Sequence, residues 1–463
     1  MAGVIPSRCA KQFRAADVIC SRPIAAAVKT TGSLVTHPLS RRFAVGALLL
    51  ACIPGLLPAQ PKFFLKDGDT VVFYGDSITE RRIYAGFIEA CVLTRFPKLN
   101  VRFVSSGWGG DTVAGGDGGS LDLRLHRDVI AYHPTVVTVL LGMNDGHYQQ
   151  PTESAYRTFT TGYEKLVQTL RTALPGVRLT LLEPSPYDDI TQPPQFPGGY
   201  NGVLLRFGQF IRTLGEKENA TVVDLNRAVT TTLAAVDAKD PSAAREFIPD
   251  RVHPGPAASL LMAEAVLKAW NAPPIVTEAE IDAASGTATR TVRTAVTSIS
   301  RTGGALSWTQ QDQALPFPVD WQDGPVSVAA YSSDFIPAID DQPLRVKNLK
   351  PGDYTLKIDG RAIVTYPADQ FARGINLATL ATPMLEQAAG VLKLTNQHND
   401  VHVSRWRLIQ VPLAPYGLPH YGTALADLDT LEQETVARQR AAAQPKPHNY
   451  EIVASKRAAS RKN

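Results

Sequence analysis

At 463 residues the chain has room for two or three domains of ordinary size. A composition of 44% hydrophobic and 19% charged residues supplies a buried core and excludes wholesale disorder. The formal net charge is only +4, and much of the basic excess falls near the two ends, which argues against a nucleic-acid partner.

In chain order, the first feature is a leader over 1–60. Arg41 and Arg42 precede an apolar run, Phe43–Ile53, followed by Pro54, Gly55 and Leu57-Pro-Ala-Gln60. A charged flank, a short apolar core and a small-residue exit are the parts of a secretory signal. The run is shorter than the about 20 residues that span a bilayer. The expectation is a secreted or periplasmic protein with no membrane span in its mature chain. The alternative is an N-terminal anchor, because Leu49-Leu-Ala-Cys52 loosely resembles a lipoprotein-processing box; the plainer reading puts Cys52 in the apolar core. Of Cys9, Cys20, Cys52 and Cys91, a chain starting near Pro61 keeps only Cys91 and forms no internal disulfide. Cys91 sits in an apolar helical stretch and reads as a buried small hydrophobe.

From 61 to 275 short β-branched runs alternate with helical patterns. The runs are 70–74, 101–104, 135–141, 177–182 and 221–225; the helical patterns lie near 81–96, 121–132, 153–174, 201–218 and 257–270. Near-continuous apolar runs are expected for strands covered on both faces. The pattern predicts an α/β fold, a doubly wound (flavodoxin-like) parallel sheet of five strands, with its site at the strands' carboxyl ends. After Asn271-Ala-Pro-Pro274 the texture changes to Ser, Thr, Gly and Pro with short alternating segments such as 324–331. Residues 344–366 read as a strand pair joined at Asp359-Gly360, and a helix is expected over 382–397. This predicts a smaller β-containing domain over 276–412 with a closing helix. Residues 413–463 read as an extended basic tail.

Chemistry-bearing residues sit at the predicted strand ends. The first strand ends in Gly75-Asp-Ser77, which exposes a serine at a helix N-terminus, although Asp and Ser are also ordinary helix caps. The second ends in Ser105-Ser-Gly-Trp-Gly-Gly-Asp-Thr112, and the third in Gly142-Met-Asn144. A glycine N–H in the second block and the Asn144 amide suit a developing oxyanion; each block alone also reads as a turn. Far downstream, Asp250 and His253 stand three residues apart before the last helix. That spacing lets a carboxylate orient an imidazole toward a serine. It also fits a surface salt bridge or a metal pair, the latter disfavoured because no other ligand cluster has suitable spacing. His126, His133 and His147 compete for the role of base, but His147 has no carboxylate at triad spacing. It is read, with Trp108 and Tyr187, as candidate pocket lining.

Taken together, Gly75-Asp-Ser77, Gly110 within Gly-Gly-Asp-Thr, Gly142-Met-Asn144 and Asp250-Arg-Val-His253 resemble the four blocks of the SGNH/GDSL hydrolases over about residues 65–272. The resemblance implies Ser77 as nucleophile and His253 as base oriented by Asp250. It implies an oxyanion hole from the Ser77 N–H, the Gly110 N–H and the Asn144 side chain. Ser105 departs from the pattern, standing where an asparagine is frequent. The C-terminal region looks like the extension on some secreted bacterial members. The expected reaction is ester hydrolysis through an acyl-enzyme, with neither metal nor organic cofactor. The mixed polar loop 184–200, together with export and the family's habits, favours removal of acetyl or other small acyl groups from carbohydrate, so the expected partner is a small-molecule or glycan ester. A broad carboxylesterase or lipase is the alternative. A non-catalytic carbohydrate-binding protein is the reading from a different class.

Overall fold

The computed structural model describes residues 62–455; the leader, with its signal and anchor readings, lies outside the described residues. Five runs rich in β-branched residues form parallel strands: β1 (Thr70–Gly75), β2 (Arg102–Gly107), β3 (Val136–Leu140), β4 (Arg178–Leu182) and β5 (Thr221–Val223). They lie in the order β2-β1-β3-β4-β5, with Val72 opposite Val104 on one side and Val137 on the other. Both faces are covered, so the expected doubly wound five-stranded sheet is what forms. The order reverses between β1 and β3, and at such a switch point the carboxyl ends of the strands open a crevice.

The helices of this layer are α1 (Ile83–Arg95), α2 (Leu121–Asp128), α3 (Glu153–Ala173), α4 (Gly199–Lys217), α5 (Leu225–Asp237) and α6 (Pro256–Ala269). Helix α3 has one apolar stripe, Phe159, Tyr163, Leu166, Val167 and Leu170, as a helix with one wet face should. Helix α1 is different: every residue from Tyr84 to Arg95 is buried. A helix buried all round needs cover on its outer side, and the C-terminal region supplies it. Within α1, Cys91 is buried and its thiol is pushed up to about 12 by that burial, which fits the reading as a small hydrophobe.

The C-terminal region adds two sheets. One contains β6 (Glu278–Asp282), β7 (Thr287–Val292), β10 (Pro343–Lys347) and β13 (Ile375–Asn376), in the order β13-β10-β6-β7. The other contains β8 (Thr294–Thr302), β9 (Ala305–Asp312), β11 (Asp353–Ile358), β12 (Arg361–Pro367) and β14 (Pro447–Ala454), in the order β8-β9-β14-β11-β12. The hairpin at Asp359-Gly360 forms between β11 and β12, with positive φ at both turn residues (51° and 79°), as a type I′ turn requires. Leu344, expected in that pair, instead lies in β10 of the other sheet.

Three expectations are corrected. Residues 324–331 form a helix, α7 (Gly324–Ser332), because Asp323 caps it through the Val326 N–H (3.1 Å) and Pro325 fits its first turn. The closing helix α8 runs longer than expected, Pro383–Val403, from a Thr382 cap. Residues 413–463 are not an extended tail: 421–442 form α9 (Tyr421–Ala442) and 447–454 form β14. The Ala, Gln and Arg of that stretch are strong helix formers, and the alternate burial of His448, Tyr450 and Ile452 marks a strand. Residues Phe317 to Ile339 join the core under α6. No helix among the described residues is long and apolar enough to cross a membrane.

Candidate active site

Strand β1 delivers Ser77 to the switch point. A Cβ on Gly75 would fall on the Thr79 hydroxyl and the Leu140 carbonyl oxygen, so only glycine fits where the chain turns. Asp76 then caps a single helical turn, Ser77–Glu80, by accepting from the Ile78 N–H at 2.9 Å. Ser77 heads that turn, where backbone N–H groups lack intrahelical partners and favour negative charge. Burial pushes the Asp76 carboxyl up to about 8, so this cap is a largely neutral acid at pH 7.

The loop before α6 brings the partners. His253 Nδ1 lies 2.7 Å from Asp250 Oδ2, and His253 Nε2 lies 2.8 Å from Ser77 Oγ. With its Nδ1–H donating to the Asp250 carboxylate, the imidazole leaves Nε2 to accept from the serine hydroxyl. Asp250 Oδ1 also accepts from the His253 and Val252 N–H groups, at 2.7 and 3.1 Å. Partial burial alone would raise the Asp250 carboxyl, but these bonds hold it below its usual range. Between the two stands Arg251, in the left-handed region at φ 71°. It reaches Asp189 Oδ1 (3.0 Å) and the Pro193 carbonyl (2.9 Å), and lies over the Tyr187 ring at 4.9 Å. Arg251 thus pins the Asp–His loop to the loop after β4.

Asn144 follows β3. Its Nδ2 donates one proton to the Asp111 carbonyl (3.0 Å), while its Oδ1 accepts from the Tyr148 hydroxyl (2.8 Å). The two contacts fix which way the amide faces and leave its second N–H for another acceptor. Next to it Asp145 is buried, accepting from the Val113 N–H at 2.9 Å, and burial pushes its carboxyl up to about 7. Gly110, at φ +75°, lies in the loop after β2, and a Cβ there would meet nothing within 4 Å. Gly109 is tighter: its Cβ position lies 2.8 Å from Glu80 Oε2 and 3.9 Å from Ser77 Cβ.

The structure therefore brings Ser77, His253 and Asp250 together and places Asn144 and Gly110 in neighbouring strand-end loops. His147 is exposed at a left-handed turn; the imidazole on Ser77 is that of His253. Tyr187 is buried against Tyr148 and Tyr200. Trp108 is buried beneath Arg407, whose Cζ stands 3.1 Å above the ring centroid. The sequence reading missed Tyr148, Arg251, Glu80 and Arg407. The first three sit within four residues of a motif; Arg407 lies far from all four motifs in sequence. Trp406, next to Arg407, is an anchor: it is buried and donates to Asp128 Oδ1 at 2.6 Å.

A cavity of about 940 Å³ lies elsewhere, toward the amino ends of β1 and β2, between them and α9. Its lining includes Asn100, Arg102, Tyr132, Arg405, Glu432 and Arg440, and none of the triad residues. The serine–histidine contact, not cavity size, marks the reactive centre. Among the described residues no group of three or more His, Cys, Asp or Glu is arranged to hold a metal ion.

A doubly wound sheet with a Ser–His–Asp relay at its switch point defines a serine hydrolase architecture. Residues 73–259 match the GDSL-like Lipase/Acylhydrolase family. This segment is a GDSL-like acylhydrolase domain, and the chain is an ester-hydrolysing serine hydrolase. Over 220 residues it is 26% identical to an acetylxylan esterase of Geobacillus stearothermophilus, covering 43% of this chain and 93% of that one. A solved structure of a gut microbial diltiazem-metabolizing enzyme superposes with a TM-score of 0.74 at 24% identity, covering 86% of this chain and 99% of that one. The shared fold thus extends well beyond the hydrolase domain.

Proposed function

We propose that the protein is an exported esterase that removes acetyl or other small acyl groups from carbohydrate, with Ser77 as nucleophile. The observation that carries the chemistry is the unbroken relay from Asp250 through His253 to Ser77, at 2.7 and 2.8 Å. Ser77 Oγ attacks the ester carbonyl carbon as His253 Nε2 takes its proton; the carbonyl π pair moves onto oxygen. The oxyanion is met by the Ser77 and Gly110 N–H groups and the second N–H of Asn144. Collapse expels the alcohol, which takes the proton from His253, and leaves an acyl-serine. Water, deprotonated by His253, then attacks the acyl carbon, and acetate leaves as Ser77 regains its proton. Asp250 stabilises the imidazolium in both halves.

The sugar reading is supported by the acetylxylan esterase relative and by the half-buried polar pair of Asp189 and Arg251 beside the triad. Acetate release from acetylated xylooligosaccharides, set against a chain-length series of nitrophenyl esters, tests it. The expected result is sugar-ester turnover and a steep fall beyond butyrate. Equal activity on octanoate with none on sugar esters identifies a broad carboxylesterase instead.

A further inference from the structure

Arg407 enters the site from outside the acylhydrolase segment. It belongs to a π-helical turn, Ser404–Gln410, that follows α8, and such wide turns often sit at functional positions. The turn is fixed to the hydrolase domain by buried contacts. Trp406 donates to Asp128, and Asp128 is also paired with Arg124. Arg124 in turn holds Asp111 Oδ2 (2.7 Å) and the Ser106 carbonyl (2.9 Å) beneath the second strand-end loop.

So anchored, the Arg407 guanidinium lies over the Trp108 ring, its Nη1 buried and without a hydrogen-bond partner among the described residues, while Nη2 stands 3.3 Å from Glu80 Oε1. Glu80 is one helical turn past Ser77, and its other oxygen occupies the space a Gly109 side chain would need, next to Ser77 Cβ. Glu80 and Arg407 remain 39% and 25% exposed, so this charged pair borders the nucleophile and reaches solvent.

We infer that Glu80 and Arg407 form a leaving-group subsite that grips neighbouring hydroxyls of a sugar ring, so that the C-terminal region selects polyhydroxylated alcohols. A carboxylate and a guanidinium side by side accept from one hydroxyl and donate to the next. An apolar alcohol lying on the pair strips water from both charges and returns no hydrogen bond, which is strong discrimination against it. The contact with Trp108 holds the guanidinium in place, so little side-chain freedom is lost on binding. This inference rests on the carbohydrate-ester reading above.

The test compares kcat and KM of the full chain and its Arg407→Ala, Arg407→Lys and Glu80→Gln variants on an acetylated xylooligosaccharide and on 4-nitrophenyl acetate. In Arg407→Ala the ratio of sugar-ester to nitrophenyl-ester kcat/KM falls about tenfold or more, mostly through KM. Arg407→Lys, which keeps the charge but loses the planar fork, recovers part of it. Glu80→Gln lowers the same ratio, and it decides the matter if Arg407→Ala fails to fold. Proportionate losses on both substrates, or an unchanged ratio, overturn the inference and leave the pair a structural wall. Wild-type protein that cleaves the nitrophenyl ester but no sugar ester overturns the carbohydrate reading itself, and this inference with it.

Discussion

Among the described residues an imidazole Nδ1 hydrogen-bonds to a carboxylate oxygen at His253, His398 and His448, and the first two of these contacts do different work. At the sheet edge His253 meets Asp250 at 2.7 Å; between α1 and α8 His398 meets Glu89 at 2.9 Å. What differs is the other nitrogen. His253 Nε2 faces the Ser77 hydroxyl, a neutral group with a proton to give. His398 Nε2 faces Glu432 of α9 at 3.6 Å, a second carboxylate. Burial alone would lower His398, but the flanking carboxylates raise it to about 10, so it is an imidazolium that neither accepts nor cycles a proton near pH 7. Glu89 is further held by Asn399 Nδ2 and Gln439 Nε2, at 3.0 and 2.9 Å. A histidine–carboxylate pair is therefore a base where its far side is neutral and reachable, and a clasp where its far side is charged and closed.

Replacing Ser77 by alanine removes the neutral far-side partner. Hydrolysis should fall by about four to six orders of magnitude with the melting temperature nearly unchanged, as measured by turnover and a thermal melt. Near-normal turnover in the purified variant sinks the assignment of the nucleophile.

The clasp should fail in the opposite way. Glu89→Ala removes one of the two carboxylates that hold a buried imidazolium and should cost about 3 kcal/mol in urea unfolding, while the folded fraction still hydrolyses nitrophenyl acetate. The pH dependence follows from the signs. His398, raised in the fold, contributes stability in full below its unfolded value of about 6.5, and that contribution fades as pH climbs toward 10. Glu432 is held well below its usual range by His398 and, on its other oxygen, His402 of α8 (3.6 Å), despite burial, so its contribution is present above about 4.3 and is lost as pH falls further. The stability gap between wild type and His398→Asn should be widest between about pH 5 and 6.5. A gap that is flat from pH 5 to 10 contradicts the clasp.

Tyr148→Phe probes the sheet edge more gently. The Asn144 amide loses one of its two orienting bonds, so kcat should drop roughly tenfold with KM little changed. A change confined to KM makes Tyr148 a pocket wall rather than a positioning residue. The smallest effect is expected at Asp145. Its carboxyl is raised by burial to about 7, so the fold is favoured below its unfolded value of about 3.9 and loses that advantage as pH rises through 7. Asp145→Asn should flatten the decline in melting temperature between pH 5 and 8.

The sheet-edge pair was legible in the sequence because its parts are local. Asp250 and His253 are three residues apart, and Gly75, Gly110 and Asn144 follow apolar runs whose β-branched content marks them as strands. The clasp was not, because Glu89, His398 and Glu432 come from three helices and meet only after the C-terminal region folds back on α1. Arg407 was hidden for the same reason. The tail was misread because Ala- and Gln-rich stretches suit both a mobile end and a helix; only the Thr395–Gln439 contact and the cover over α1 decide between them. The segment 324–331 shows the limit of a period-two pattern in a short run: a capping aspartate and an early proline outweighed it.

The position of β14 also has a consequence for how the protein is made. Residues 447–454 do not close the second sheet at its rim; they lie between β9 and β11 and supply both with their hydrogen-bonding neighbour. Until those residues leave the ribosome, β9 and the β11–β12 hairpin are two half-sheets with open edges, and open edges pair with whatever strand arrives first. Helix α1 waits for its outer cover over the same interval. The parallel sheet that carries Ser77 precedes all of these strands in the chain, so the interval before residues 447–454 are translated is the time when a folding helper or a rival strand has most influence on the second sheet.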